Sequence, residues 1–208
     1  SGVIIDPRGF VITNEHVVDK AAGIKVILSD GRTFKARLIG ADIKSDLAIV
    51  KIDSDNPLPY IKMGRSDDLM IGETILAIGN PFGLRHTVTQ GIISALNRTI
   101  RASKNIIYND FIQVDASINP GNSGGPLLNI NGSLIGINAA IYQKAEGIGF
   151  AIPIDHAKRI VNELIQFGKV RRGWLGVTVQ DMTESLYQYF NIDRPIGVLT
   201  SKVFREGP

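Results

Sequence analysis

Short apolar runs separated by turn-forming residues make up the first half of the chain. Residues 47–52 form the most apolar of these runs and are rich in β-branched side chains, which predicts a buried strand. The segment Asp30-Gly31-Arg32 lies between two runs and is typical of a hairpin turn. Runs of this length and spacing predict the strands of a sandwich or barrel. The predicted strands are 3–5, 10–13, 24–29, 33–39, 47–52, 73–78 and 87–96.

The second half of the chain continues with strands and then changes its period. Further strands are predicted at 111–115, 126–128, 134–141 and 148–152. Residues 94–110 and 142–147 lack clean alternation and are predicted to be long loops. A spacing near 3.6 then predicts a helix, whose apolar face consists of Ala157, Ile160, Val161, Leu164 and Ile165. We expect Asp155 to cap this helix and Gly168 to end it.

Composition and charge are those of an ordinary globular protein. The chain has 208 residues, 44% of them hydrophobic and 21% charged, which suits one or two domains. The net charge of +3 is not concentrated in runs, so nucleic acid is not an expected partner. Cysteine is absent, which excludes disulfides and thiolate metal sites, and no membrane anchor is visible. Because the chain starts without methionine and ends in mid-pattern, we expect a fragment of a longer protein.

A glycine-rich segment at residues 119–126, with the sequence Asn-Pro-Gly-Asn-Ser-Gly-Gly-Pro, surrounds Ser123. Glycines allow positive φ and tight turns, so several N–H groups can point inward together. A serine presented beside such groups has both a nucleophilic oxygen and donors for an oxyanion. An ordinary turn between two strands is the alternative interpretation. The segment predicts a catalytic serine, provided that a base and a carboxylate can be found.

Three histidines are candidates for the base: His16, His86 and His156. His86 lies in a Gly/Arg/Thr-rich turn, and His156 lies in the first turn of the predicted helix. A lone histidine is most often a surface or structural residue. His16 is favoured as the base because it directly follows a strand and a Thr-Asn stop, and precedes two apolar valines that can anchor it.

Four of the aspartates between His16 and Ser123 are candidates for the carboxylate that orients the imidazole. They are Asp42, Asp46, Asp53 and Asp55. Asp42 is interpreted as a turn residue, and the last two lie in a polar loop. Asp46 immediately precedes the apolar strand at 47–52, where a partly buried carboxylate requires a partner. The predicted triad is therefore His16, Asp46 and Ser123.

This order of histidine, aspartate and serine is the chymotrypsin-type order. Five segments of the chain resemble the HtrA (Deg) family of ATP-independent serine endoproteases. They are Thr13-Asn14-Glu15-His16-Val17, Ser45-Asp46-Leu47-Ala48-Ile49, Ala77-Ile78-Gly79-Asn80-Pro81-Phe82-Gly83, Gly121-Asn122-Ser123-Gly124-Gly125-Pro126-Leu127 and Gly147-Ile148-Gly149-Phe150-Ala151-Ile152-Pro153. The resemblance covers essentially the whole chain. It implies a mainly β fold of two perpendicular chymotrypsin-like β-barrels, with a C-terminal helix and the active site between the barrels.

The resemblance also implies a division of the chain and a set of further site residues. Residues 1–168 would be the protease domain, lacking an N-terminal segment, and 169–208 a linker and the truncated start of a PDZ domain. The oxyanion hole would consist of backbone N–H groups of Gly121, Asn122 and Ser123. The specificity pocket would be lined by Ser117, Ile141 and Ile148. The start of the peptide-binding PDZ groove would be Trp174, Leu175, Gly176 and Val177.

The family further implies partners, location and control. Unfolded or damaged proteins of the bacterial periplasm would be the substrates, without metal or organic cofactor, and the intact protein would form a homotrimer. Loops 94–110 and 142–147 would be sensor and activation loops, with Arg98, Arg101 and Lys104 as candidate contacts. Three alternatives remain open: a chaperone that holds proteins without cleaving them, a regulatory stress-sensing protease with a single client, and a pure binding module.

Overall fold

The computed structural model of the chain describes residues 1–80, 87–101, 106–139, 147–193 and 197–205. The chain divides into two compact units, Ser1–Val170 and Arg171–Pro208. The first unit contains two antiparallel sheets and one long helix, and the second contains a small two-stranded sheet. All the candidate triad residues lie in the first unit.

The first sheet of this unit has five strands in the order β1-β2-β5-β4-β3. Its strands are β1 (Val3–Asp6), β2 (Phe10–Thr13), β3 (Ile24–Ile27), β4 (Thr33–Asp42) and β5 (Leu47–Ile52). A four-residue helix, α1 (Glu15–Val18), follows β2. Since β2 and β5 are paired neighbours, the residues that follow β2 lie beside those that precede β5.

The second sheet closes into a barrel of six strands in the order β10-β11-β8-β7-β6-β9. Its strands are β6 (Thr74–Gly79), β7 (Thr87–Arg101), β8 (Ile107–Val114), β9 (Pro126–Asn129), β10 (Leu134–Ala139) and β11 (Gly149–Pro153). Apolar side chains fill its interior, including Ile75, Ile93 and Leu127. The mainly β fold predicted from the sequence is confirmed.

The predicted long loop at 94–110 is wrong. Strand β7 runs without a break to Arg101, and β8 begins at Ile107. The pairing of β7 with β8 shifts register three times between Ile93 and Ile100, and Asn97 has a positive φ of 55°. Each bulge adds a residue to one strand and reverses the inward and outward alternation beyond it. This is why the period-two pattern of a strand is lost in the sequence.

Strand β5 lies between two hydrophobic clusters, which explains its continuous apolar run. Leu47 and Ile49 join the cluster between the first sheet, the barrel and the long helix. Ala48 and Val50 face the other way and join a second cluster, which consists largely of apolar side chains of the first sheet. The predicted buried strand is therefore confirmed, and Asp46 directly precedes it.

The long helix α2 (Ile154–Phe167) ends the first unit, and its apolar face is buried in the central cluster. Gly168 ends it as predicted, with a left-handed φ of 69° and its N–H bonded to the Leu164 carbonyl. The predicted role of Asp155 is wrong, because Pro153 occupies the N-cap position. The Asp155 carboxylate instead accepts hydrogen bonds from the N–H of Ser66, 2.7 Å away, and from its hydroxyl.

The second unit pairs β12 (Val177–Asp181) with β13 (Val198–Val203) and carries a short helix, α3 (Glu184–Tyr189). The turn before β12 is held by a hydrogen bond from the Phe204 N–H to the Gly176 carbonyl, 2.7 Å long. The rings of Trp174 and Phe204 pack with centroids 5.7 Å apart. Trp174 and Leu175 are largely exposed. In the described parts of the whole chain, no helix is long and apolar enough to cross a membrane.

Candidate active site

The local structure after β2 places His16 at the rim of the first sheet. Asn14 has an extended backbone and begins α1, which carries His16 in its first turn. Val18 on the same helix is buried in the sheet interior, so it anchors the helix while the imidazole remains 44% exposed. Val18 therefore anchors the helix that carries the partly exposed imidazole, whereas Val17, the other valine predicted as an anchor, is exposed.

Asp46 is buried and directed at His16. Its carboxylate oxygens lie 2.8 and 2.9 Å from His16 Nδ1, and one of them also accepts the His16 backbone N–H at 3.2 Å. The Asp46 side chain is only 1% exposed, so this contact is shielded from water. Because the carboxylate accepts hydrogen bonds, Nδ1 carries the proton in the neutral ring and Nε2 is left as the basic nitrogen.

Two of the other candidate aspartates have different partners. Asp42 accepts the Ser45 N–H at 2.9 Å and the Ser45 hydroxyl at 2.6 Å, so it stabilises the end of β4. Asp53 pairs with Lys51 at 2.6 Å on the protein surface. Among the hydrogen bonds of the described residues, Asp46 is the aspartate that contacts His16.

The charges around His16 shift its pKa upward. The hydrogen bond from Nδ1 to Asp46 is the largest cause, and it outweighs the opposing effect of burial. The neighbouring Glu15 also favours the protonated ring by its negative charge. The pKa of Glu15 is itself raised, first by desolvation and then by Asp19 and Asp46. The site therefore stabilises the imidazolium that a general base forms when it accepts a proton.

Ser123 lies in a loop that is hydrogen-bonded to strand β10. The Gly124 N–H donates to the Asn138 carbonyl, and the Asn138 N–H donates to the Gly125 carbonyl, both at 2.9 Å. A further 2.9 Å bond joins the Gly125 N–H to the Asn122 carbonyl. Ser123 itself is buried to 4% exposure. These backbone bonds fix the loop on both sides of the serine.

Gly124 brings this loop against the segment that leads to His16. A Cβ atom on Gly124 would overlap the hydroxyl oxygen of Thr13 and the carbonyl oxygen of Ser1, and would lie 3.1 Å from the Asn14 nitrogen. Gly124 also has a positive φ of 79°. The position therefore requires glycine for two reasons, and the close approach places the serine loop beside the histidine segment.

The residues before Ser123 form a tight turn. Asn122 donates its N–H to the Asn119 carbonyl at 2.9 Å, and Gly121 has a φ of 105°. A proline followed by a glycine with positive φ defines a type II turn. The Asn122 N–H is used inside this turn, which corrects the expectation that it would face an oxyanion. Gly121 and Ser123 remain as the two candidate donors.

Residues near the expected specificity pocket are placed only in part. Ser117 has an exposed side chain, and its carbonyl accepts the Asn122 amide at 3.1 Å. Ile148 is 36% exposed, and Ile141 lies outside the described residues, as do His86 and Lys104. The structure adds Ile118, whose Cγ1 would lie 2.5 Å from a Cβ on Gly149. Its proximity to Gly149 could not be read from a sequence in which the two are 31 positions apart.

Two further residues were missed by sequence reasoning. The Ser1 hydroxyl donates to the Gly121 carbonyl at 2.5 Å and accepts the Asn80 N–H at 3.0 Å. The Asn14 side-chain amide donates to the Asp46 carbonyl at 2.9 Å. Both contacts join segments far apart in sequence. Among the described residues, no group of three or more His, Asp or Glu side chains is arranged to bind a metal ion.

The chain is similar to known peptidases over its whole length. Residues 1–137 match the family model of the trypsin-like peptidase domain. A probable periplasmic serine endoprotease DegP-like of Halomonas elongata is 49% identical over 211 residues, which cover 100% of this chain and 44% of that protein. The corresponding protein of Rickettsia prowazekii is 49% identical over 212 residues, covering 100% of this chain and 41% of that protein. The chain thus spans less than half the length of these relatives.

Solved structures give the same result. The HtrA-type protease AlgW with a tripeptide superimposes with a TM-score of 0.90 at 48% identity, covering 100% of this chain and 69% of that one. The serine endoprotease from Yersinia pestis gives a TM-score of 0.77 at 42% identity, covering 100% of this chain and 66% of that one. With its trypsin-like domain and this degree of likeness, the chain belongs to the HtrA-type family of serine proteases.

Proposed function

We propose that this chain is the catalytic part of an ATP-independent serine endopeptidase that cleaves unfolded or damaged proteins in the bacterial periplasm. The observation that carries the proposal is the buried Asp46 carboxylate, which binds both the ring and the backbone N–H of His16. A structural aspartate would not need to orient an exposed imidazole in this way. The periplasmic location is supported by the names of the DegP-like relatives.

In the proposed reaction, Ser123 Oγ attacks the carbonyl carbon of a peptide bond while its proton moves to His16 Nε2. Asp46 holds the ring in the required tautomer and stabilises the imidazolium. The N–H groups of Gly121 and Ser123 donate to the oxyanion. The C–N bond then breaks, the leaving amine takes the proton from His16, and a water molecule hydrolyses the acyl-enzyme by the same steps in reverse order. No metal or organic cofactor takes part.

The specificity pocket is proposed to accept small aliphatic side chains. Its base position is Ser117 and its wall residues Ile141 and Ile148, to which the contact of Ile118 with Gly149 adds an apolar surface. An apolar pocket discriminates by only about 1–3 kcal/mol per methylene, so the preference should be broad. Cleavage after Val, Ile or Ala is expected, and mass spectrometry of peptide products tests it. Products cut mainly after Arg or Lys would contradict the assignment.

The second unit is proposed to begin a PDZ domain, with Trp174, Leu175, Gly176 and Val177 at the start of the groove. The exposed Leu175, the tight turn at Gly176 and the following strand are consistent with a loop that binds a peptide carboxylate. The AlgW structures contain a bound peptide, which supports peptide recognition in such proteins. In the intact protein we propose a homotrimer that acts on unfolded polypeptides.

Control by loop ordering is also proposed. The β7–β8 pair, which occupies most of residues 94–110, would sense a signal, and residues 142–147 would transmit it. Arg98 donates to the Gln113 side chain at 2.9 Å, and with Arg101 and Lys104 it remains a candidate contact. For residues 1–208 we expect a basal turnover that is low and unresponsive to C-terminal peptides. Peptide activation of this chain itself would contradict that expectation.

Casein digestion by the purified chain tests the proposed function. Proteolysis should be present in the unaltered protein and absent in Ser123→Ala, with an unchanged circular dichroism spectrum. Suppression of aggregation by Ser123→Ala would show an additional chaperone activity. Suppression without any proteolysis in the unaltered protein would favour the chaperone, and proteolysis that survives Ser123→Ala would overturn the assignment of the nucleophile.

A further inference from the structure

Asn14 occupies a position where an asparagine usually caps a helix, but it does not do so. It is the N-cap residue of α1, and its side chain makes no capping hydrogen bond. Asparagine is favoured at N-caps because its side-chain oxygen accepts an N–H of the first turn. Here the side chain is completely buried, and its amide reaches a carbonyl 32 residues away in sequence. A local role in helix formation therefore does not explain this residue.

The amide of Asn14 binds the backbone of the orienting aspartate. Its Nδ2 donates to the Asp46 carbonyl oxygen over 2.9 Å, in a fully buried contact. The carboxylate of the same Asp46 accepts the ring and backbone N–H of His16. Asp46 is thus held at both ends: His16 binds the side chain, and Asn14 binds the main chain.

The backbone of Asp46 has a conformation that needs such support. Its φ is 52°, in the left-handed region that side-chain-bearing residues adopt uncommonly. The local turn contributes one weak bond, from the Asp46 N–H to the Ile43 carbonyl at 3.3 Å. A residue held in the left-handed region persists only where its surroundings over-determine it. The φ of this residue also sets the direction in which its carboxylate leaves the main chain.

The main chain of Asn14 also lies close to the serine loop. Its nitrogen lies 3.1 Å from the position of a Cβ on Gly124, the residue after Ser123. Its position in sequence is two residues before His16. One buried residue is therefore adjacent to the segments that carry all three members of the triad.

From this arrangement we infer that Asn14 is a positioning residue, which fixes the left-handed main chain of Asp46 so that the carboxylate meets the His16 ring. This inference rests on the proposed triad and assigns a role to a residue outside it. It predicts that the Asn14 amide affects turnover through Asp46 alone, and not through substrate binding.

The test is a double-mutant cycle on peptide hydrolysis. Asn14→Leu keeps the shape of the side chain and removes the donor, and kcat per folded molecule should fall about 10- to 100-fold while KM changes little. In an Asp46→Ala background the same substitution should change kcat by no more than about twofold, because the carboxylate that Asn14 positions is no longer present. An equal loss in both backgrounds, or no loss in the first, would overturn the inference.

Two controls separate positioning from stability. Val11→Ala removes apolar atoms from the interior of the same sheet, and should lower the melting temperature without lowering kcat per folded molecule. Asn14→Ala removes the donor without a larger apolar group, and provides the measurement if leucine prevents folding. In either Asn14 variant the downfield proton resonance of His16 Nδ1–H should weaken or shift, and an unchanged resonance would contradict the role of Asn14.

The outcome can be distinguished from a failure of the proposed function. If the triad assignment were wrong, Asp46→Ala and Ser123→Ala would leave proteolysis intact. If only the inference about Asn14 were wrong, Ser123→Ala would be inactive and Asp46→Ala reduced to a low residual rate, while Asn14→Leu retained full turnover.

Discussion

Gly124 is the residue through which the serine loop meets the histidine segment, and an alanine there should damage both stability and catalysis. A Cβ would overlap the Thr13 hydroxyl and the Ser1 carbonyl, and the positive φ of 79° disfavours any side chain. The left-handed conformation costs about 1–2 kcal/mol for an L-residue. Overlap with packed neighbours adds about 1–3 kcal/mol. Gly124→Ala should therefore lower the free energy of unfolding by about 2–5 kcal/mol.

The chain contains a matched control for this change. Gly132 has a similar φ of 75°, but a Cβ there would have no heavy atom within 4 Å outside its own chain neighbours. Gly132→Ala should incur only the conformational cost, and in both variants the loss of stability is reduced by about 0.4–1 kcal/mol because alanine restricts the unfolded chain. Urea denaturation of both variants should show a difference of about 1–3 kcal/mol, which is the contribution of the overlap alone.

The activity of the two variants should differ more than their stability. To relieve the overlap, the loop must move relative to Thr13, and Ser123 moves with it. A displacement of about 1 Å can lower the rate about 100-fold. We expect kcat/KM for a peptide substrate to fall by about that factor in Gly124→Ala and to stay unchanged in Gly132→Ala. Equal activity in the two variants, measured well below their melting temperatures, would refute the close approach of the two segments.

Three further predictions concern contacts around the site. Ser1→Ala removes the hydroxyl that binds the Gly121 carbonyl, so kcat in steady-state kinetics should fall about tenfold while KM changes little. This decrease in kcat is smaller than the one expected when an oxyanion donor itself is removed. Glu15→Gln removes a charge that raises the pKa of His16, so the acid limb of the kcat/KM profile should move to lower pH. Burial raises the pKa of the Asp155 carboxyl, but hydrogen bonds from Lys158 and Ser66 outweigh this and lower the pKa below its ordinary value. The stabilising effect of Asp155 is therefore present above the ordinary carboxyl pKa, and it is lost as the pH falls through the lowered pKa. Asp155→Asn should lower the free energy of unfolding, measured in urea, by about 1 kcal/mol at neutral pH and by less at about pH 3. An unchanged kcat in Ser1→Ala, an unmoved acid limb in Glu15→Gln, or a pH-independent loss of stability in Asp155→Asn would contradict the contact concerned.

The parts of the fold that sequence predicts well are those determined by local patterns. The run of residues 47–52 is apolar at nearly every position because both of its faces are buried. The helix before Gly168 shows its period in the sequence because only one of its faces is buried. In both cases the burial of each residue follows from its own side chain and its spacing along the chain.

The parts that sequence predicts poorly depend on distant partners. The bulges of β7 are fixed by its pairing with β8, so they appear in the sequence only as a lost alternation. The carboxylate of Asp155 bonds Ser66, 89 residues earlier, instead of capping its own helix. The amide of Asn14 likewise bonds a carbonyl of Asp46. A main-chain N–H or carbonyl group can form a hydrogen bond whatever the residue type, so the identity of the partner residue does not reveal such a bond in the sequence.

The candidate triad could be predicted because each member carries its own chemical requirement. A serine nucleophile needs a base, and a carboxylate next to a buried strand needs a partner. The candidate oxyanion donors could be predicted only in part. The Asn122 N–H is engaged in a turn, and which N–H group a turn engages depends on backbone geometry. The sequence indicates which residues take part, and the structure determines which of their atoms are available.

Covalent labelling tests most directly the claim that His16 and Asp46 activate Ser123. A fluorophosphonate reacts with a serine oxygen only where a base removes its proton, and expels fluoride to form a stable phosphonyl ester. Intact-mass spectrometry should show one added group, and peptide mapping should place it on Ser123, with labelling far slower in His16→Ala and Asp46→Ala. A label on another residue, or an equal labelling rate in the His16→Ala variant, would contradict the account.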